Sequence, residues 1–251
     1  MARQTAISIN TIPIGPLGII GMPGCEELTD KIDKYLVKWR KTQAIEHAES
    51  IAFFGYQRDS YKIDITIPRF GSGEGKGVIN ESVRGYDIYI VCDVFNYSCT
   101  YNMYGKEVCM SPDDHFADLK RVISALCSKP KRVSVIMPML YEGRQHKRSS
   151  RESLDCAMAL KELVHLGVEN IITFDAHDQR VQNAIPDKSF ENVMPTYQMI
   201  KALVNNVDDL KVDKDHLMVI SPDEGALHRC IYFATQLGIN LGMFYKRRDY
   251  T

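Results

Sequence analysis

A chain of 251 residues with 45% hydrophobic and 25% charged residues has an ordinary globular composition and enough length to bury one large core or two small ones. Lys and Arg number 31 against 32 Asp and Glu, so no global field gathers nucleic acid or an anionic membrane, and any anion site has to be a local cluster. The seven cysteines are odd in number, lack a CxxC pair and fall partly inside apolar runs, which reads as reduced, buried thiol in a cytoplasmic protein rather than a disulfide framework.

At the N-terminus the stretch behind Arg3 is broken by Pro13, Gly15, Pro16 and Gly18, so neither a secretory apolar region nor a membrane span fits. An amphipathic helix is expected over Glu26–Arg40 and a strand over Tyr61–Ile67. From Tyr86 onward short β-branched runs alternate with longer periodic ones, the pattern of βαβ units around a parallel sheet. Strands are expected at Tyr86–Cys92, Arg132–Met137, Asn170–Phe174, His216–Ile220 and Leu241–Tyr245. Helices are expected at Pro112–Ser128, Arg151–Leu166, Pro195–Asn206 and Glu224–Leu237, the second of them with Leu154, Met158, Leu160, Leu163 and Val164 at helical spacing. Ser111-Pro112 and Ser149-x-x-Glu152 read as N-caps, and Gly167 and Gly238 as C-terminal caps. Pro186, Asp187 and Pro195 interrupt the pattern, which places a domain boundary near Asn192–Pro195: residues 1–194 form a first domain and 195–251 begin a second.

The polar residues concentrate just after the carboxyl ends of these strands, where ligands of open parallel sheets bind. Tyr141-Glu142-Gly143-Arg144-Gln145-His146-Lys147-Arg148 follows one strand and Asp175-Ala176-His177-Asp178 the next. Ser221-Pro222-Asp223-Glu224-Gly225 and Lys246-Arg247-Arg248-Asp249 follow the last two. Asp175, His177, Asp178, Asp223 and Glu224 supply hard oxygen ligands and one imidazole, suited to Mg²⁺ shared with substrate phosphates and water rather than to a closed zinc site. Arg144, Lys147, Arg148 and Arg151 crowd an expected helix start, where the helix dipole calls for an anionic ligand. Each cluster alone has a plainer reading. Asp223 would serve as an N-cap, Asp175 as a turn residue, and the arginine run as a solvated face. Their joint placement points to phosphoryl chemistry on a phosphorylated small molecule. The Gly71–Gly77 stretch matches neither GxxxxGK[ST] nor GxGxxG, and glycine spacing leaves a flexible hairpin turn and a binding role both open.

Five stretches together resemble the ribose-phosphate pyrophosphokinase family: Asn80-Glu81-Ser82-Val83-Arg84-Gly85, Arg144-Gln145, Asp175-Ala176-His177, Ser221-Pro222-Asp223-x-Gly225 and Lys246-Arg247-Arg248. They stand in family order from about Pro68 onward. The resemblance implies a type I phosphoribosyltransferase-like α/β fold, a parallel sheet flanked by helices, with one complete unit and a truncated second. It implies transfer of the diphosphoryl group of Mg-ATP to the 1-hydroxyl of ribose 5-phosphate in a cytoplasmic homo-oligomer with sites shared between subunits, without nucleic acid or membrane partners. Phe70, Ser72 and Glu74 are similar to the segment that reaches the adenine across a subunit contact, with Ser72 replacing an amide or carboxylate. Arg144 and Gln145 then contact nucleotide, His177 and Asp223 hold Mg²⁺ on ATP, and Lys246 and Arg248 stabilise charge during transfer.

Two features depart from the family pattern. Ala226 stands where a second glycine is usual, and no acidic pair followed by a Thr/Gly-rich turn, the ribose-phosphate segment, follows Lys246–Arg248. The chain is therefore expected to be an incomplete form of the enzyme. The alternative is a non-catalytic relative that binds nucleotide and assembles with or regulates a full-length partner.

Overall fold

Strands covered on both faces need apolar side chains on both, and Asp87–Val91 and Arg132–Met137 supply them. The computed structural model describes residues 13–46 and 57–245. In chain order these form β1 (Leu17–Gly21), α1 (Glu26–Glu46), β2 (Ile65–Thr66), β3 (Val78–Ile79), β4 (Asp87–Val91), β5 (Thr100–Met103), β6 (Lys106–Cys109) and α2 (Pro112–Ala125). There follow β7 (Arg132–Met137), α3 (Asp155–His165), β8 (Asn170–Phe174), β9 (Ser189–Val193), α4 (Thr196–Asn206), β10 (Met218–Ser221), α5 (Leu227–Leu237) and β11 (Asn240–Met243). The chain divides into two compact units, Met1–Val193 and Met194–Thr251.

In the first unit β1, β4, β7, β8 and β9 lie side by side in that order, and each neighbouring pair is parallel. Ile88, Ile90 and Val135 of the sheet pack in one core with Leu119 of α2 and Leu163 of α3, all fully buried. Each such side chain stabilises the fold by roughly 1.5–3 kcal/mol relative to exposure. At the amino ends of the strands, Asp87 and Arg132 are register partners joined by a two-pronged ion pair, Arg132 Nε to Asp87 Oδ1 at 2.8 Å and Nη2 to Oδ2. The carboxyl ends are left to loops.

Local chemistry accounts for the helix ends. Ser111 accepts the Asp114 N–H while Asp114 accepts the Ser111 N–H, a capping box with Pro112 in the first turn of α2. Gly167 takes φ 96° after α3, its N–H bonding Val164 O while the Val168 N–H reaches Leu163 O. That is a Schellman cap, and Gly238 closes α5 in the same way.

Several expectations change. The Pro- and Gly-broken N-terminal stretch contains β1, because its glycines allow close approach. A Cβ on Gly18 would stand 2.6 Å from Ile88 Cδ1, and one on Gly15 would stand 2.1 Å from the Gly85 carbonyl oxygen. The helix at Glu26 runs on to Glu46, and of Tyr61–Ile67 only Ile65–Thr66 is a strand, with Lys62 bridging to Ile19. Ser149 and Glu152 do bond, Ser149 N–H to Glu152 Oε2 at 3.1 Å, but they close a loop turn, since α3 starts three residues later at Asp155. Its buried face is Cys156, Ala159, Leu160 and Leu163, with Met158 turned outward. The β5–β6 hairpin and β9 were not anticipated. Cys25, Cys92 and Cys156 are buried, whereas Cys109 and Cys127 are exposed, and all seven cysteines are unpaired.

In the second unit β10 and β11 pair in parallel, and α5 packs on them with Ala234 buried. Among the described residues no helix is long and apolar enough to cross a membrane.

Candidate functional site

Phe70, Ser72 and Glu74 occupy the tip of a tight hairpin. Arg69 bridges to Gly75, the Phe70 N–H bonds Glu74 O at 2.8 Å, and the Gly73 N–H returns to Phe70 O at 2.8 Å. All three side chains are exposed, Phe70 by 54%, and Ser72 Oγ donates to Glu74 Oε2 at 2.8 Å. The glycines around them have steric reasons. A Cβ on Gly77 would lie 2.8 Å from the Arg121 backbone of α2, and one on Gly75 would lie 3.0 Å from Asp118 Oδ1. The stretch is a packed turn, and it holds an aromatic ring and a carboxylate out to solvent.

The second group stands after β7 and β8. Turns step the chain through Leu140–Gln145, with Gly143 N–H to Leu140 O at 3.1 Å and Gln145 N–H to Glu142 O at 2.8 Å. The Gln145 carbonyl then accepts the Cys156 N–H at 3.3 Å, tying this loop to the first turn of α3. Arg144 and Gln145 themselves point to solvent. Because α3 begins at Asp155, Arg144, Lys147, Arg148 and Arg151 lie in the loop before it rather than in its first turn, while the Gln145 carbonyl holds that loop against the helix start. They form a run of exposed cations at a strand end.

The loop after β8 meets this one. His146 Nε2 lies 3.4 Å from Asp178 Oδ2, and the His146 and His177 rings stand 5.1 Å apart, tilted by 58°. The Asp178 carboxylate is held well below the usual range, chiefly by hydrogen bonds from the Arg180 side chain, with His146 adding to the effect. His146 is largely buried and its Nδ1 has no partner. Asp175 adopts φ 46°, and the Ala176 N–H bonds Asn192 Oδ1 at 2.8 Å, so β9 shapes the turn that presents His177. His146 is the residue that sequence reasoning passed over. It stood in view beside Gln145, but only the fold sets it against Asp178.

In the second unit Asp223 Oδ1 accepts the Ala226 N–H at 3.0 Å and so caps the turn leading into α5, as the plainer reading held. A carboxylate has lone pairs left beyond one such bond. Lys246 and Arg248 lie outside the described residues. Among the described residues no group of three or more His, Cys, Asp and Glu side chains is gathered to hold a metal ion. Mg²⁺ is commonly held through one or two protein groups, with phosphate and water supplying the remaining ligands. A cavity of about 690 Å³ beside β1 is lined by Glu26, Asp30, Asp64 and Glu81 with Lys62 as its cation, a poor lining for phosphate.

Residues 17–167 match the family model described as the N-terminal domain of ribose phosphate pyrophosphokinase. The chain belongs to the ribose-phosphate pyrophosphokinase family. Curated relatives of that name include one from Ralstonia nicotianae, 27% identical over 185 residues, covering 72% of this chain and 52% of the relative. Another, from Helicobacter pylori, is 29% identical over 190 residues, covering 73% and 52%. The chain thus spans about half the length of the curated relatives it matches. The solved phosphoribosylpyrophosphate synthetase of Mycobacterium smegmatis superposes with a TM-score of 0.69 at 20% identity, covering 93% of this chain and 65% of that one. That likeness shows the fold, a parallel sheet flanked by helices of the type I phosphoribosyltransferase-like class.

Proposed function

We propose that this chain carries nucleotide-binding residues of a ribose-phosphate diphosphokinase. The supporting observation is the meeting of the loops after β7 and β8, with His146 Nε2 3.4 Å from Asp178 Oδ2, which brings Arg144, Gln145 and His177 to one end of the sheet. In the proposed reaction the 1-hydroxyl oxygen of ribose 5-phosphate attacks the β-phosphorus of ATP. The bond from that phosphorus to the oxygen bridging the α-phosphate breaks, AMP leaves, and the hydroxyl proton is released. Arg144 and Gln145 hold nucleotide, and Phe70 stacks on the adenine of a neighbouring subunit in a cytoplasmic homo-oligomer, with Ser72 and Glu74 on the base edge. His177 and Asp223 would hold Mg²⁺, which when bound offsets charge on the triphosphate oxygens. Lys246 and Arg248 stabilise charge that grows only during transfer, so their effect falls on turnover more than on binding.

Because the chain spans about half of its relatives' length, binding is the first test and turnover the second. Calorimetry is expected to show Mg-ATP binding that Arg144→Ala weakens. Phosphorus NMR with Mg-ATP and ribose 5-phosphate then looks for AMP and a new ribosyl diphosphate in equal amounts. Turnover supports the enzyme reading over the non-catalytic relative, binding without turnover fits an incomplete form and the non-catalytic relative alike, and absence of Mg-ATP binding overturns both readings.

A further inference from the structure

We propose that the β5–β6 hairpin is a brace for the Phe70–Glu74 turn, with Tyr101 and Arg69 acting as positioning residues for the nucleotide site. The nucleotide part rests on the reading that Phe70, Ser72 and Glu74 face the adenine.

Four of the seven residues Gly71–Gly77 are glycine, and a chain so rich in glycine has many conformations to lose before its side chains can meet a base. The structure restrains it from two sides. On the hairpin side, the Tyr104 N–H donates to Gly71 O at 2.8 Å. Met103 lies where a side chain on Gly73 would be, its Sδ 2.9 Å from an ideal Cβ, and Gly73 holds a φ of 91° that other residues rarely take.

On the α2 side, Arg69 gathers three contacts. Its Nη1 donates to Gly73 O at 3.0 Å, its Nη2 to Asp118 Oδ2 at 2.7 Å, and its guanidinium lies 4.6 Å from the centroid of the Tyr101 ring. Asp118 is 2% exposed and also accepts from Arg121 Nη1 at 2.6 Å, so the carboxylate is anchored in the body of the unit. The Tyr101 ring therefore closes over a guanidinium that grips both the turn's own carbonyl and a buried acid. Removing the ring leaves every residue of the turn in place but frees one wall of the clamp. Tyr101 and Arg69 touch neither base nor phosphate in this scheme and act through Phe70 and Glu74.

The test compares Tyr101→Leu, which removes the aromatic face, with Tyr101→Phe, which keeps it, in the full chain. Hydrogen exchange over residues 70–74 reads the turn directly, calorimetry with Mg-ATP reads the site, and thermal melting reads the fold. Tyr101→Leu is expected to speed exchange at Gly73 and weaken Mg-ATP binding by about 10-fold with melting little changed, as for lost preorganisation. Tyr101→Phe is expected to match the parent in all three. Unchanged exchange in Tyr101→Leu, or equal damage from Tyr101→Phe, overturns the brace. Phe70→Ala serves as the independent control. If it binds Mg-ATP like the parent, the adenine reading fails and the nucleotide role of the brace is overturned with it. If Phe70→Ala weakens binding while Tyr101→Leu leaves it intact, the adenine reading stands and the positioning role is overturned.

Discussion

The Tyr141 hydroxyl donates to Asp113 Oδ1 at 2.5 Å and pins the loop after β7 to the first turn of α2. The same ring stacks on Phe116, centroids 4.2 Å apart and planes 12° from parallel. Burial, followed by the hydrogen bond to Asp113, holds the phenol well above its usual range, so it remains a donor at physiological pH. Arg144 and Gln145 follow within four residues, and the first prediction concerns this anchor. Tyr141→Phe keeps the stack and loses the bond, and is expected to cost about 1 kcal/mol, or roughly 2–4 °C in melting temperature. Mg-ATP binding should weaken in parallel. A variant that melts and binds like the parent would show the bond to be incidental.

The glycines of the Phe70 turn are predicted to differ sharply. A Cβ on Gly77 meets backbone atoms, Arg121 C and O at 2.8 Å and Val122 N at 2.9 Å, which cannot turn aside as a side chain can. Gly77→Ala should therefore destabilise by about 1–3 kcal/mol, as overpacking does. Gly71 meets nothing within 4 Å, so Gly71→Ala should be neutral or stabilise by about 0.4–1 kcal/mol through the unfolded chain. Urea titrations of the two variants decide the matter, and equal effects would contradict the packed-turn description.

Thiol reactivity is the third prediction. Burial pushes Cys25 and Cys156 up to about 11 and Cys92 higher than usual as well, while Cys109 and Cys127 are exposed. Since the thiolate is the reacting form, mild alkylation near pH 8 should label Cys109 and Cys127 first. Cys25, Cys92 and Cys156 should resist until the chain is unfolded, as peptide mass mapping would reveal. Early labelling of Cys92 would contradict the buried position of β4's carboxyl end.

Much of the first unit's framework was legible because its strands are apolar on both faces. Arg132–Met137 and Asn170–Phe174 are bounded as their sequences imply. β1 was hidden because the glycines that let it approach Ile88 and Gly85 look like chain breakers until those neighbours are known. β9 was hidden because an edge strand alternating exposed and half-buried positions carries little apolar signal. The expected start of α3 was placed too early, since the Ser149–Glu152 bond imitates a cap before the helix begins at Asp155. The clamp around Arg69 had no local signal at all. Asp118 lies 49 residues away in sequence, and only folding brings it within bonding distance.

The last prediction separates the two roles of Asp223. Its carboxylate caps the turn into α5 by accepting the Ala226 N–H at 3.0 Å, and the proposed function also makes it a ligand for the metal on ATP. Asn is as good a capping residue as Asp, because the side-chain carbonyl accepts the same bond, but it lacks the charge that holds a hard cation. Asp223→Asn should therefore leave melting within about 1 °C of the parent, a change well under 0.5 kcal/mol, while weakening Mg-ATP binding by about 10-fold or more. Asp223→Ala should lose the cap as well and destabilise by a further ~1 kcal/mol. His177→Ala is the companion variant in the first unit. His177 is exposed after β8, so its replacement should weaken Mg-ATP binding with little change in melting. Calorimetry in Mg²⁺, together with melting curves on all three variants, distinguishes the outcomes. If Asp223→Asn binds Mg-ATP as the parent does and only Asp223→Ala is impaired, and impaired only in melting, then Asp223 is a helix cap and nothing more, and the metal would have to be held without it.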